Sequence, residues 1–408
     1  MRVAVIGGGV IGLTSAYHLA REGAEVTVVD ARAVGRGASE VNAGWVCPAE
    51  SGPVPAPGMV GQALRWMLRR DSPLYVRPSL DPSLLRFMLA MARHCNRADY
   101  RAGMEAMVRL SAGTMDLLDA YRDDGMDFEM HADGLLMAFL DEERLSSHLR
   151  DLDIAEAAGL EPVVLDRATI HEHEPALGES VVGGVYYPHE RHLDPASLTR
   201  ALQQRCLELG VEIVTDAPIE QVDREGQHVT AVHGGHRRIP ADAFLLAAGA
   251  WSGPLSAAFG ANLPIRPGTG YSLDLPAGPL GQPTYLTEAK VAATPLEGRL
   301  RLAGTMEFGR LEERVDPVRA RAIARAPAAY LREWTPPATA GAEAGLRPMS
   351  PDGLPLIGPL EGLENAFVSS GHGMLGLTLA PSSAVGITGL ILRGERAATL
   401  APFDPARS

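Results

Sequence analysis

The chain has 408 residues, of which 46% are apolar and 21% charged, and a formal net charge of -13. The length exceeds what one small core can organise and calls for two intimately packed domains, while the composition is that of a soluble globular enzyme. The negative charge excludes nucleic acid as a partner, and the three widely spaced cysteines, Cys47, Cys95 and Cys206, match no metal-ligand pattern, so no metal is expected and the thiols suit a reduced, cytoplasmic setting.

Met1 and Arg2 lead straight into an apolar, β-branched run at 2–6, so no signal peptide is expected. The run ends in Gly7-Gly8-Gly9-Val10-Ile11-Gly12, followed by an apolar-periodic stretch at 13–22 and a second β-rich run, 25–29, that stops at Asp30. Strand, glycine turn, helix, strand and terminal acid are the parts of a dinucleotide-binding βαβ unit. Gly7 permits the tight turn, Gly9 lets backbone amides reach a pyrophosphate, and Gly12 lets the helix pack on the strand. The diphosphate sits on the unpartnered first amides of the helix. Asp30 is placed to accept from the ribose hydroxyls and would repel a 2′-phosphate, which disfavours NADP. This fingerprint alone does not choose FAD over NAD.

A glycine-rich stretch, 35–45, follows directly and reads as backbone approaching a ligand. Residues 51–58 are a proline-rich breaker. From 59 to about 150 the periodicity predicts mostly helix, with a short strand pair near Phe128 and 134–139 and a helix over 142–158. The part 59–101 carries eight arginines (65, 69, 70, 77, 86, 93, 97, 101) and three aspartates (71, 81, 99) among apolar residues that include Leu64, Met67 and Leu68. It is either a helical cap with solvated arginines or a basic amphipathic surface for a membrane or an acceptor protein.

Further on, a strand is predicted at 181–187, a helix at 196–209 capped by Asp194 and Pro195, and a strand at 211–215. A hairpin over 219–222 and 229–233 leads into 243–248, an apolar run suited to a central parallel strand. Residues 268–273, 284–294 and 299–306 read as antiparallel strands, with Glu297-Gly298 as a turn. Lys290 is the one lysine among 37 basic residues, either a retained functional ammonium or a chance survivor. On this pattern it shares a face with Glu288, and Arg301 and Glu307 fall on the partner strand, so the charges are either solvated or line a polar site. A helix at 318–334, a strand pair within 344–358, a strand at 366–369, a second glycine turn at 371–376 and a last helix to about 392 complete the chain.

The chain resembles the D-amino acid oxidase superfamily of FAD-dependent amine oxidoreductases, most closely its D-amino acid dehydrogenase branch. The resemblance rests on Gly7 to Gly12 with Asp30, on Ala38-Ser39 and Asn42-Ala43-Gly44, and on residues 246–252 (LAAGAWS). It rests further on Gly270-Tyr271-Ser272-Leu273, on residues 345–355 (GLRPMSPDGLP) and on Gly371-His372-Gly373-Met374-Leu375-Gly376. Where many relatives of that branch read Lys-Gly-Tyr-Ser, this chain has Thr269-Gly270-Tyr271-Ser272.

The resemblance implies an α/β fold: a doubly wound, Rossmann-type FAD-binding domain over 1–50, 190–253 and 340–408, and an α+β substrate domain with a mixed antiparallel sheet over 51–189 and 254–339. It implies FAD held by Gly7, Gly9, Val10, Ile11, Gly12, Asp30, Ala31 and Arg32, by Ala38, Ser39, Asn42, Ala43 and Gly44, by Ile219, Ala248, Gly249, Gly345 and Arg347, and by Gly371, His372, Gly373, Met374, Leu375 and Gly376. Amides and a helix terminus at the last turn would stabilise negative charge on the reduced ring. Arg347 matches the arginine that pairs with a substrate carboxylate in relatives, or else braces the Pro348 turn. Tyr271 donates to substrate or packs as a core aromatic, His372 contributes its imidazole or only its backbone, and Lys290 assists at the flavin or pairs with Glu288. Cys47 is expected to be a buried thiol. The implied activity is oxidative deamination of a D-amino acid or cyclic imino acid, by hydride transfer from the α-carbon to flavin N5, with reoxidation by a quinone, another carrier or oxygen. The alternatives are an N-methyl amino acid or glycine oxidase on the same fold, and a flavin-binding protein without turnover. A cytoplasmic location follows, with peripheral contact of 59–101 at the inner membrane face as the variant.

Overall fold

Burial on both faces decides the centre of the molecule. The strand Ala243–Leu246 is apolar throughout and wholly buried, and it pairs in parallel with Arg2–Ile6 on one side and Ala366–Ser370 on the other. In the computed structural model, which describes residues 1–66, 70–150, 152–157, 159–339 and 341–407, these strands belong to a six-stranded sheet. Its order is Glu212–Val214, Glu25–Val29, Arg2–Ile6, Ala243–Leu246, Ala366–Ser370 and Leu356–Pro359, and only the last strand runs antiparallel. Met67, Leu68 and Arg69 of the basic run, the side chain of Leu64, and Asp151 and Ala158 of the 142–158 stretch lie outside the described residues.

One face of this sheet is covered by the helices Val10–Arg21, Pro195–Glu208 and Gly376–Arg393, around a core that includes Leu13, Leu245 and Ile387. The other face carries a three-stranded meander, Ile219–Glu225, His228–Gly234 and Arg237–Pro240, over Phe244, Leu246 and Val232. The helix Pro195–Glu208 starts as its sequence predicts: Asp194 accepts from the amides of Ala196 and Ser197, and Pro195 fills the first turn. Gly376–Arg393 is the one helix among the described residues that is long and apolar enough to cross a bilayer. It is mostly buried against the first helix and ends at Gly394 in the left-handed region, as a core helix does.

The second large sheet has nine strands, in the order Ala342–Met349, Arg266–Pro276, Arg299–Phe308, Val291–Leu296, Thr284–Leu286, Leu135–Phe139, Gly183–Tyr187 and Val163–Leu165, with Leu74–Val76 beside Arg299–Phe308. It is mixed, since Thr284–Leu286 pairs in parallel with Leu136 to Ala138. A small sheet of Trp45–Val46, Arg191–Leu193 and Met130–His131 completes the frame.

Four expectations change. The predicted strand pair within 344–358 is not a pair: Ala342–Met349 joins Arg266–Pro276 in the nine-stranded sheet, whereas Leu356–Pro359 joins Ala366–Ser370 in the other. Residues 342–349 thus belong to the nine-stranded sheet. The stretch 284–294 splits at a turn over 287–290, so Glu288 and Lys290 are turn residues and not strand neighbours. The helix at 318–334 is Pro317–Arg325, followed by a 3-10 turn that contains Pro327. The 142–158 stretch breaks into Glu142–Leu149 and Leu152–Ala157.

Leu245 has no exposed surface and Leu80 is fully exposed. Leu245→Ala is therefore expected to cost about 3 kcal/mol, by lost transfer energy and a cavity, and to lower the urea midpoint. Leu80→Ser should leave it within about 0.5 kcal/mol.

Candidate active site

Gly12 packs so closely on the turn that a Cβ there would lie 1.8 Å from the Gly7 carbonyl oxygen, and Gly7 adopts φ +112 with Ala248 at its back. The side chain of Asp30 accepts from Gly8 N–H at 2.6 Å and from Arg32 N–H at 2.8 Å, and burial pushes its pKa up. Each carboxylate oxygen keeps a lone pair for a further donor. Ser39 Oγ accepts from Val10 N–H, at the start of the first helix.

From Val10 a cavity of about 330 Å³ extends to the nine-stranded sheet, a volume in the range of small-molecule sites. The expected residues Val10, Ala38, Ser39, Asn42, Ala43, Lys290, Gly345, Arg347, His372, Gly373, Met374, Leu375 and Gly376 all line it. Two helix N-termini meet at this wall, since a Cβ on Gly376 would lie 3.9 Å from Val10 Cγ1. Helix N-termini favour anionic groups, so the wall suits a diphosphate or a ring that becomes anionic on reduction. Gly345 supplies clearance: a Cβ there would lie 2.1 Å from Val41. The residues present therefore fit a flavin nucleotide. Val10, Ala38, Ser39 and the turn from His372 to Gly376 would hold FAD, which would supply a two-electron acceptor there.

Arg347 is the most informative side chain. Its Nη1 donates to the Thr305 carbonyl at 2.8 Å, and no carboxylate among the described residues pairs with it. Burial lowers its pKa to about 10. The fork is otherwise free to take a carboxylate in bidentate fashion. Gly270 makes room for it, because a Cβ at that position would collide with the guanidinium.

His372 is buried, with Nε2 3.1 Å from Ser383 Oγ and Nδ1 without a partner, and burial holds it neutral with a pKa of about 3. Lys290 stands with Nζ 5.3 Å from the Tyr285 ring centroid, and its backbone adopts φ +54. Burial lowers its pKa against the pull of Glu50, the acid that acts on it most. Glu288 instead accepts from Tyr330 OH.

Tyr271 does not reach the cavity. Gly270 faces inward, so strand alternation turns Tyr271 outward, where its hydroxyl donates to Glu307 at 2.9 Å. Arg301 also departs from the charged face expected of it: it is buried, forks onto Asp274, and donates to the carbonyls of Glu40 and Asn42, pinning the 38–44 loop to the sheet. Gly7, Gly9, Ile11, Gly12, Asp30, Ala31, Arg32, Gly44, Ile219, Ala248, Gly249 and Gly371 lie off the cavity wall. Gly44 fits a tight approach to the Leu193 carbonyl, Ile219 packs in the core beneath the meander, and Arg32 stacks over Trp251 and pairs with Glu313. Cys47 is a buried thiol whose pKa burial and Glu190 push up.

Sequence reasoning missed Glu50, Tyr285 and Tyr100, and named Trp45 only as the end of a loop. All four line the cavity. Trp45 and Tyr285 meet edge to face at 5.7 Å. Burial lifts the Glu50 carboxyl to about 7 against Lys290. The one sequence signal was position: Glu50 lies between the ligand-facing loop, 35–45, and the proline breaker, 51–58.

A family model described as "FAD dependent oxidoreductase" matches residues 2–390. The D-amino acid dehydrogenase of Rhizorhabdus wittichii is 35% identical over 400 residues, covering 96% of this chain and 96% of the relative. That of Rhodopseudomonas palustris is 36% identical, over 94% and 92%. Among solved structures, glycine oxidase from Geobacillus kaustophilus superposes with a TM-score of 0.79 at 22% identity, over 100% of this chain and 99% of that one. L-Proline dehydrogenase from P. horikoshii gives 0.73 at 20%, over 100% and 97%. These two share the fold.

A carboxyl whose folded pKa exceeds its unfolded value takes up protons on folding between the two. In the cofactor-free protein Glu50 therefore lowers stability as pH rises from 4.5 to about 7, and Glu190, lifted to about 8 by burial, extends the decline. Glu50→Gln should flatten the lower part of the curve of melting temperature against pH. An unchanged slope would mean that Glu50 is solvated.

Proposed function

The chain belongs to the FAD dependent oxidoreductase family, and on that footing we propose that it deaminates a D-amino acid or cyclic imino acid oxidatively, removing hydride from the α-carbon. FAD, when bound, supplies the two-electron acceptor for that hydride. The observation that carries the reading is Arg347, a guanidinium in the cavity wall with no carboxylate partner among the described residues. A substrate carboxylate answers it, and the two-point contact fixes the α-carbon against the wall formed by Gly373 to Gly376. Trp45 and Tyr285 bound the space for the side chain. Glu50 takes the ammonium proton, because the amine must be neutral to expel hydride and a carboxyl near pKa 7 is poised for that exchange. His372, neutral and held by Ser383, completes the wall. Water then converts the imine of an acyclic substrate to a 2-oxo acid and ammonia, whereas the imine of a cyclic substrate retains its nitrogen.

The relatives' name, dehydrogenase, supports a quinone or another carrier as acceptor over oxygen, and so stands against the glycine oxidase and N-methyl amino acid oxidase alternatives. The same reading places 59–101 on an anionic membrane surface at the cytoplasmic side. In its support, the helix Pro82–Arg93 exposes Leu85 and Leu89 beside Arg86 and Arg93, and Leu80 precedes it fully exposed.

Mixed anaerobically with a panel of both enantiomers, the yellow holoenzyme should bleach with D-amino acids, and under air it should form little peroxide. Arg347→Met should raise KM by about 100-fold, the cost of losing one partner of a desolvated charge pair. A flavin that no amino acid bleaches leaves the non-catalytic alternative standing. Sedimentation with anionic vesicles should carry the protein down, and Leu85→Ser with Leu89→Ser should release it. Equal sedimentation of both proteins would remove the membrane contact.

A further inference from the structure

We propose that His131, Asp133 and His192 form a binding site for a divalent cation of zinc-like chemistry, on the small sheet that supports Trp45. One ligand atom from each residue lies within 4.8 Å of the other two. The sheet creates the cluster: Met130–His131 runs antiparallel to Arg191–Leu193 with His131 opposite His192, and Trp45 pairs with His192 from the other side. Asp133 is returned to the two rings by the turn at Gly134, which adopts φ +73 and donates to the Glu190 carbonyl, while Tyr186 OH holds the Asp133 carbonyl at 3.1 Å.

The second observation concerns the ring nitrogens. His192 is 1% exposed, and its Nδ1 has no hydrogen-bond partner. A buried ring nitrogen without a partner is costly, and a cation supplies the partner. The Pro295 backbone engages the same ring, and His131 Nε2 lies 3.0 Å from the Glu129 carboxylate. The buried His192 imidazole is thus anchored by a backbone group, which leaves its Nδ1 as the fixed metal ligand, while His131 would exchange its Glu129 contact for the ion. Two imidazoles and a carboxylate suit zinc, whereas magnesium and calcium prefer all-oxygen sets.

Ligand atoms around tetrahedral zinc stand roughly 3.3 Å apart. The rings now stack at 4.8 Å with 21° between planes, so His131 must turn out of the stack for both lone pairs to converge. Its side chain is 40% exposed and Asp133 is exposed, which leaves both free to rotate. Water or Glu129 would take the fourth position. An ion there ties the strand beside Trp45 to its neighbour and so stiffens the wall of the cavity. It is a separate site from that of the proposed reaction.

The FAD-loaded protein, stripped with chelator, dialysed against zinc chloride and desalted, should retain about one zinc per chain by elemental analysis and melt at a higher temperature. Cobalt in its place should give the strong visible absorption of a four-coordinate ion. His131→Gln and Asp133→Asn, both at accessible positions, should weaken zinc at least about 10-fold while keeping the flavin spectrum. His189→Gln, elsewhere on the surface, should change nothing. Zinc held no more tightly by the parent than by the His131→Gln, Asp133→Asn double variant would overturn the proposal.

Discussion

A half-buried guanidinium with no carboxylate partner among the described residues is the constraint on which the site depends. Arg347 tolerates that position because one N–H is met by the Thr305 carbonyl and because Gly270 leaves the volume it needs, while Gly345 makes room for Val41 of the neighbouring loop. Those glycines are cross-strand partners in the pairing of Arg266–Pro276 with Ala342–Met349, so the register of one strand pair creates the opening. The backbone around it is also strained. Thr305 and Lys290 both adopt positive φ without being glycine, and both line the cavity. Strain of that kind persists only where the surrounding structure over-determines it, and here it surrounds the unpaired charge.

Electrostatics then divides the molecule. The chain carries a net charge of -13, yet the cavity collects Arg347, Lys290 and two helix N-termini. An anionic molecule meets its attractive field inside the cavity and not on the surface. Glu50 is the acid within that field, and its carboxyl is lifted by burial and restrained by Lys290. Arg347 and Glu50 thus line one cavity as a cation and an acid whose charge burial disfavours.

The two layers are held in register by buried polar contacts. Arg301, 4% exposed, links Asp274 on the nine-stranded sheet to the carbonyls of Glu40 and Asn42 on the loop that follows the nucleotide unit. Truncating such a residue would strand a carboxylate and two carbonyls together, which is why it behaves as part of the frame. Trp45, whose indole N–H donates to Thr294 at 2.9 Å, ties the same loop to the neighbouring strand.

The nucleotide cradle was legible in the chain itself, because its requirements are local. Gly7, Gly9 and Gly12 are read from steric need within one turn, Asp30 from the end of one strand, and 243–246 from an apolar run that only a doubly covered strand can use. The glycine turn at 371–376 was equally visible, as was Arg347 once the flanking motif was set beside its relatives. Long-range pairing decided the rest. Tyr271 points away because its neighbour Gly270 points in, a choice of strand face that depends on partners distant in sequence. Glu50, Tyr285 and Lys290 come from separate loops and strands, and no periodicity marks residues that meet only across a cavity. His131 and His192 face each other because two short strands pair, and spacing along the chain carries no trace of that encounter. Local sterics and patterning thus wrote the cofactor fold into the sequence, while sheet register, which acts between segments tens of residues apart, chose the side chains that line the cavity.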